Sequence, residues 1–296
     1  MNILRTPDKQ FRDLPDYRFE PHYQEVDGLR VHYVDEGPRD GQVVLLLHGE
    51  PSWSYLYRHM IPTFADAGLR AVAPDLVGFG RSDKLALDSD YTYQRQVDWT
   101  RGWLESTGLR EINLVCQDWG SLIGLRLVAE HPDWFARVVL TNGGLPTGDQ
   151  QMPEAFHRWH DFSQSMRDLP VGRIITMGTV NRPSAAVLAA YEAPFPDASY
   201  KAALRIMPAL VPITPDDPAA GPNRMAWRSL MRFDKPFLTA FSDRDPITAG
   251  AEVAFQRLVR GAKGRDHVTI ENAGHFVQED KGPELARVVL DFIAGT

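Results

Sequence analysis

The chain has 296 residues, 43% of them apolar, and a formal net charge of -7. This composition is typical of a folded protein with a large apolar core, and the acidic balance without any basic run disfavours nucleic acid as a partner. The N-terminus lacks the apolar core of a secretory signal, and no apolar run reaches the roughly 18 residues that a membrane span requires. The lone cysteine, Cys116, cannot form an internal disulfide. We therefore expect a cytoplasmic protein with no membrane attachment.

Short apolar runs alternate with longer amphipathic stretches along most of the chain. Several of the apolar runs are rich in Val, Leu and Ile and lack apolar/polar alternation, as in strands covered on both faces. The predicted strands are 30–37, 42–49, 70–75, 112–118, 137–144, 236–243 and 267–274. The stretches with helical periodicity are 54–67, 91–107, 120–131, 249–260 and 283–294. This order predicts an α/β fold with a mostly parallel sheet flanked by helices.

The alternation stops between residues 147 and 230. This range carries aromatic residues, many prolines and short helical stretches instead of strands. A structureless loop of this length would be unusual in a folded domain, and open α/β sheets bind ligands at the carboxyl edge of the strands. We therefore predict a helical cap over 147–230, inserted between a first core segment, 1–146, and a second, 231–296.

The segment LVCQDWGSLIG (114–124) places Asp118 between a predicted strand and a predicted helix. This pattern matches the strand-turn-helix nucleophile elbow, with aspartate where serine is more usual. Cys116, Gly120 and Ser121 are the small residues that such a strained turn needs around it. Aspartate is also a good helix N-cap, so this stretch alone leaves both interpretations open.

Further candidate residues follow other predicted strands. The turn HGEPSW (48–53) can aim the backbone N–H of Glu50 at the elbow, where it would form an oxyanion hole with the N–H of Trp119. Asp245 follows a late strand in FSDRDPIT, and His275 follows the last strand. Each is compatible with an ordinary structural role, but together they have the chain order of the α/β-hydrolase triad, which is nucleophile, acid and histidine.

The chain closely resembles the haloalkane dehalogenases, in particular the subfamily whose triad acid follows the seventh strand. The resemblance covers nearly the whole chain, cap included, and rests on the segments RTPD, HYVDEGP, HGEPSWSYLYR, APDLVGFGRSDK, CQDWG, YEAPFP, PALVPITP and GHFVQED. It implies an α/β-hydrolase fold with an inserted helical cap. It also implies hydrolysis of a small haloalkane by water to a primary alcohol, halide and a proton, with no cofactor and no metal. No oligomeric state is predicted.

By this resemblance, Asp118 is the nucleophile, Asp245 the acid and His275 the base. Asp243 is the alternative acid, but the Asp-Pro dipeptide and the register against the family favour Asp245. The chemistry agrees, because a carboxylate with a reference pKa near 3.9 is ionised at neutral pH and can displace halide from carbon without a base. Hydrolysis of the alkyl ester then needs neutral His275, oriented by Asp245, to take a proton from water.

Halide binding is assigned by the same resemblance to Trp119 and to a tryptophan of the cap. Two indole N–H groups suit a leaving halide, because they donate hydrogen bonds and carry no nucleophilic atom. Trp159, in FHRWHDF, matches the family position better than Trp227, in MAWRSL. The resemblance also makes Glu50 the second residue of the oxyanion hole.

Two alternative functions fit part of the sequence. An epoxide hydrolase also uses an aspartate nucleophile, but it needs protic groups, normally a tyrosine pair, for the alkoxide that forms. The cap contains Tyr191 and Tyr200. However, Tyr191 lies in the dehalogenase-like YEAPFP, and Gln117 replaces the histidine frequent before the epoxide hydrolase nucleophile. A noncatalytic ligand-binding protein is the second alternative.

Overall fold

The computed structural model describes residues 2–166 and 168–296. Its strands are β1 (Ile3–Leu4), β2 (His22–Val26), β3 (Leu29–Glu36), β4 (Val43–Leu47), β5 (Arg70–Pro74), β6 (Lys84–Leu85), β7 (Ile112–Cys116), β8 (Phe135–Leu140), β9 (Phe237–Ser242) and β10 (Val268–Ile270). Its α-helices are α1 (Ile61–Asp66), α2 (Tyr93–Thr107), α3 (Trp119–Glu130), α4 (Glu154–Ser165), α5 (Val171–Met177), α6 (Ala185–Glu192), α7 (Ala202–Leu210), α8 (Ala220–Leu230), α9 (Ala251–Leu258) and α10 (Val277–Ala294).

One large sheet has the strand order β10-β9-β8-β7-β4-β5-β3-β2. All neighbouring pairs from β10 to β5 are parallel, and β3 and β2 continue the sheet as antiparallel strands. Each predicted strand overlaps one strand of this sheet, and the prediction of a mostly parallel sheet with flanking helices is confirmed. The short strands β1 and β6 pair with each other outside it.

The central strands β4 and β7 are buried at every residue. Helices cover both faces of the sheet in such a fold, so these strands have no solvent side and need no polar alternation. Burying a Val, Leu or Ile side chain contributes about 1.5 to 3 kcal/mol relative to leaving it exposed. The apolar runs that predict the strands are therefore also the source of the core.

Two elements differ from the sequence predictions for local reasons. Strand β2, which is not predicted, has the largely polar, partly exposed sequence HYQEV, because it is an edge strand paired only with β3. The predicted helix 54–67 is divided into a 3-10 turn, Ser54–Tyr57, and helix α1. Pro62 has no backbone N–H to donate within a helix, and it lies in the first turn of α1, where none is needed.

Between β8 and β9 the described residues form five α-helices, α4 to α8, in the range where the sequence predicts a cap. The boundaries at 147 and 230 stay a prediction, and residue 167 lies outside the described residues. Helix α8 packs on α3, the helix that follows Asp118. None of the described helices is both long enough and apolar enough to cross a membrane.

Candidate active site

Asp118 lies in the tight turn between β7 and α3, with φ 49° and ψ -127°. A non-glycine residue in this region stores about 1 to 3 kcal/mol of strain and persists only where neighbours hold it. Its N–H donates to Asn142 O at 3.0 Å, and its carbonyl accepts from Ser121 N at 2.9 Å. Helix α3 approaches β4 so closely that a Cβ on Gly120 would lie 2.0 Å from Leu47 O. The Asp118 side chain makes no N-cap hydrogen bond to the helix, so the capping interpretation does not describe it.

Two groups distant in sequence meet the Asp118 carboxylate. The backbone N–H of Glu50 donates to Asp118 Oδ1 at 2.7 Å, and His275 Nε2 lies 3.5 Å from Oδ2. Trp119 follows directly as the first residue of α3, where backbone N–H groups have no intrahelical acceptor. The structure therefore brings together the residues predicted as nucleophile, base and oxyanion-hole donors.

Asp245 follows β9, the seventh strand of the large sheet in chain order, and meets His275 after β10. Its Oδ2 lies 2.9 Å from His275 Nδ1. Ile247 N donates to Oδ1 at 2.9 Å, and Thr248 Oγ1 donates to Oδ2. Burial by itself raises the pKa of Asp245, but His275 and these donors hold that pKa below its ordinary value. Asp243 accepts from Ala273 N instead, so the geometry favours Asp245 as the partner of His275.

His275 is buried between two carboxylates. Burial by itself lowers the pKa of the imidazole, but Asp245 and Asp118 outweigh this effect and raise that pKa above its ordinary value. The two carboxylates therefore favour the imidazolium form of His275 while both are charged. This differs from the neutral base that the sequence interpretation assumes, and it makes the charge on Asp118 important for the state of His275.

A cavity of about 790 Å³ opens at Asp118 and His275. Its lining is mainly apolar and includes Trp119, Trp159 and Trp227. The indole Nε1 of Trp227 donates to Leu145 O at 2.7 Å. Within the part of the chain that the structure describes, the indole N–H groups of Trp119 and Trp159 have no protein acceptor. Two of the three tryptophans thus keep a donor available to a ligand.

Tyrosine hydroxyls and metal-binding clusters, on which some other hydrolases depend, are not found among the described residues at this cavity. No tyrosine is among the described residues of its wall. Tyr191 is fully buried, and its O–H donates to Glu279 Oε2 at 2.7 Å. Tyr200 is partly buried against the core, away from the cavity wall. Across residues 2–166 and 168–296, no cluster of His, Cys, Asp and Glu side chains is arranged to hold a metal ion.

Two residues of the site have no role in the sequence interpretation. Asn142 Nδ2 donates to the carbonyls of Gly274 and His275, at 2.9 and 3.0 Å, and so holds the loop that carries the histidine. Gln117 Nε2 lies 2.9 Å from His275 Nε2. The position of Asn142 at the end of β8, in LTNGG, is a signal that could have identified it. The sequence interpretation uses Gln117 only to argue against an epoxide hydrolase, and its contact with His275, 158 positions away, follows from the fold.

Residues 42–172 match a family model described as alpha/beta hydrolase fold. A haloalkane dehalogenase of Psychrobacter cryohalolentis is 57% identical over 99% of this chain and 98% of its own length, and one of Mycolicibacterium paratuberculosis is 52% identical over the same shares. The solved structure of the tetrameric haloalkane dehalogenase DpaA from Paraglaciecola agarilytica NO2 is similar with a TM-score of 0.92, at 35% identity and covering 98% of both chains. With this similarity over its whole length, the chain belongs to the haloalkane dehalogenase family of the α/β-hydrolase superfamily.

Proposed function

We propose that this enzyme hydrolyses small haloalkanes to a primary alcohol, halide and a proton through an alkyl ester of Asp118. The observation that carries this proposal is the placement of the Asp118 carboxylate. It sits on a strained turn at the base of an apolar cavity, with Oδ1 bound by the Glu50 N–H and Oδ2 3.5 Å from His275 Nε2. One oxygen is thus held while the other is available to attack a ligand.

In the first step, Asp118 Oδ2 attacks the halogen-bearing carbon, a C–O bond forms, and the halide leaves with the electrons of the carbon–halogen bond. The attack needs no base, because the carboxylate is itself the nucleophile and has no proton to lose. Negative charge collects on the halide, and N–H donors in an apolar pocket stabilise it. Trp119 and Trp159 are the proposed donors. The third tryptophan of the cavity, Trp227, is the weaker candidate because its N–H is already bonded to Leu145 O.

In the second step, water attacks the carboxyl carbon of the Asp118 ester. Esterification removes one of the two carboxylate charges that raise the pKa of His275, so the imidazole loses its proton more readily at this stage. Neutral His275 then takes a proton from the water, and Asp245 stabilises the imidazolium. Charge develops on Oδ1, where Glu50 N–H and Trp119 N–H are the proposed donors. The bond between the carboxyl carbon and the alkoxy oxygen then breaks, the imidazolium gives its proton to that oxygen as the alcohol leaves, and Asp118 is restored as a carboxylate with release of the remaining proton of the water.

We propose that the helices within 147–230 act as a cap over this site. The cavity wall supports this assignment, since it combines Asp118 and His275 from the sheet edge with Trp159, Phe162 and Ile174 from α4 and α5. Such an enclosure excludes water from the halide site and strengthens the hydrogen bonds there. A cytoplasmic location is proposed with it, because Cys116 is a free thiol buried in the core.

An epoxide hydrolase is not favoured. Its alkoxide would need a protic group in the cavity, and the buried O–H of Tyr191 is already bonded to Glu279. Halide release from short mono- and dihaloalkanes, with styrene oxide hydrolysis measured beside it, tests this choice directly. We expect halide release and no turnover of the epoxide.

The covalent step is tested with His275→Phe and Asp118→Asn. His275→Phe keeps the nucleophile but lacks the base, so it should release about one halide per enzyme and then stop. After incubation with 1,2-dibromoethane, intact-protein mass spectrometry should show an added bromoethyl group, and peptide mapping should place it within 112–126. Asp118→Asn should give neither the burst nor the added mass. A folded His275→Phe enzyme that stays unmodified, or that turns over at the wild-type rate, would exclude the ester.

A further inference from the structure

Gln117 is a fully buried residue that contacts the base of the proposed reaction. Its amide nitrogen lies 2.9 Å from His275 Nε2 and donates to the backbone carbonyl of His275 at 3.4 Å. Its Oε1 is buried and has no hydrogen-bond partner among the described residues. A buried amide oxygen without a hydrogen-bond partner is unfavourable, so its placement needs an explanation.

The neighbours of this amide determine which end faces the imidazole. If the amide were reversed, Oε1 would lie about 3.4 Å from the carbonyl oxygen of His275, and two acceptors would face each other. The nitrogen end is therefore the one that meets His275. An amide N–H can donate to His275 Nε2 only when that ring nitrogen carries no proton.

We propose that Gln117 is a positioning residue that holds His275 as the neutral tautomer, with its proton on Nδ1 and its lone pair on Nε2. This inference rests on the proposed function, because that tautomer accepts a proton from water in ester hydrolysis once the water replaces the Gln117 N–H at the single Nε2 lone pair. Asp245 accepts a hydrogen bond from Nδ1–H on one side of the ring, and Gln117 donates to Nε2 on the other. A hydrogen bond to the neutral form of a base favours that form.

Three acidic groups face the same imidazole from other elements. Asp245 and Asp118 favour the imidazolium, whereas burial and the neighbouring Asp118 raise the pKa of Glu50, which favours its uncharged form. Esterification of Asp118 leaves Asp245 as the charged neighbour. At that stage the Gln117 amide opposes Asp245 and biases His275 toward the base that the second step needs. Gln117 should therefore affect hydrolysis of the ester more than its formation.

Gln117→Glu and Gln117→Met test this inference. In Gln117→Glu, a carboxylate replaces the amide and accepts from an imidazolium Nε2–H, so His275 should hold its proton. We expect the acid limb of the pH–rate profile for ester hydrolysis to move up by about one pH unit or more. The rate of ester hydrolysis at neutral pH should therefore fall by about ten-fold or more. Gln117→Met removes the donor at similar volume and should move the limb in the same direction by less. Both variants should keep the initial burst of about one halide per enzyme.

Gln278 supplies a matched control. It is also a fully buried glutamine whose Oε1 has no partner within the part of the chain that the structure describes, but its amide contacts the Tyr57 hydroxyl and not His275. Gln278→Met should therefore leave the acid limb in place, whatever it does to the melting temperature. Rapid-quench measurement of halide and of alkyl-enzyme over a pH series separates the two steps in all variants.

The inference is overturned if both Gln117 variants keep the wild-type acid limb, or if burst and hydrolysis decline by the same factor. The protonation of His275 can also be measured directly, without the Gln117 variants, in case those variants fold poorly. In Asp118→Asn, where a neutral amide stands in for the neutral ester, ¹⁵N NMR should show His275 with an unprotonated Nε2 at pH 7, and an imidazolium there also overturns it. Failure of the proposed function is a distinct result, because His275→Phe would then form no alkyl-enzyme at all.

Discussion

At the residue scale, the two tryptophans that α4 and α8 contribute to the cavity differ in one hydrogen bond. Trp227 donates its indole N–H to Leu145 O and stacks on Phe255 with ring centroids 4.5 Å apart. Trp159 contacts Phe162, at 6.1 Å between ring centroids, and its N–H is not used by the described residues. The first arrangement is that of a packed side chain. The second leaves a donor for a ligand.

We therefore predict that Trp159→Phe loses about 2 to 4 kcal/mol of transition-state stabilisation in dehalogenation, with little change in stability. Steady-state kcat/KM for a bromoalkane, measured beside thermal unfolding, checks this. Trp227→Phe is the control, since it removes a hydrogen bond within the fold and should mainly cost about 1 kcal/mol of stability. Equal losses of activity in the two variants, or full activity in Trp159→Phe, would show that Trp159 is not the halide donor.

At the element scale, the elbow depends on how closely α3 approaches β4. Gly120 is the second residue of α3, and a Cβ there would overlap Leu47 O. Gly221 is the second residue of α8, and a Cβ there would meet no atom within 4 Å outside its own helix and its chain neighbours, one of which is Pro222. The same substitution in the same helical position should thus be costly at Gly120 and mild at Gly221.

We predict that Gly120→Ala destabilises the protein by about 3 kcal/mol or more, because strand and helix would have to separate. Gly221→Ala should change the stability by less than about 1 kcal/mol, since the higher helix propensity of alanine is opposed by Pro222, which disfavours a helical residue with a Cβ before it. Chemical denaturation of both variants measures the difference. An elbow that tolerates Gly120→Ala without loss of stability would contradict the close packing described for α3.

At the scale of the whole molecule, a buried ion pair joins the helices between β8 and β9 to the core. Both Nη atoms of Arg58 bond Glu279 at 2.7 Å, and the Tyr191 hydroxyl on α6 donates to the same carboxylate. Burial by itself raises the pKa of Glu279, but Arg58 and Tyr191 hold that pKa below its ordinary value. Glu279 therefore stays ionised at neutral pH and receives donors from both parts of the chain.

Tyr191→Phe is predicted to cost about 1.5 to 3 kcal/mol of stability, because it removes a hydrogen bond to a buried charge. Halide release should stay within about two-fold of the wild-type rate, since Tyr191 lies outside the cavity wall. Denaturant unfolding and a halide assay on the same preparation give both numbers. Loss of activity with unchanged stability would instead place Tyr191 in the reaction, as an epoxide hydrolase requires.

Much of the architecture follows from local sequence. The Val- and Leu-rich runs predict the parallel strands, because a strand covered on both faces must be apolar throughout. The order of Asp118, Asp245 and His275 predicts the triad, because each follows a strand and parallel strands end at one edge of the sheet. Strand β2 lacks such a run, because an edge strand pairs with one neighbour only and stays partly exposed to solvent. Its local sequence therefore does not distinguish it from a loop.

Other features depend on contacts between distant parts of the chain, which only the tertiary structure decides. The residues of the elbow are compatible with both a helix cap and a nucleophile, and the choice follows from where Glu50 N–H and His275 lie around the Asp118 carboxylate. Trp159 and Trp227 are equivalent as residue types, and the Leu145 carbonyl distinguishes them. The residue type determines which chemistry a side chain can perform. Its protonation state and its free hydrogen-bond donors are determined by the groups that folding brings within about 3 Å of it.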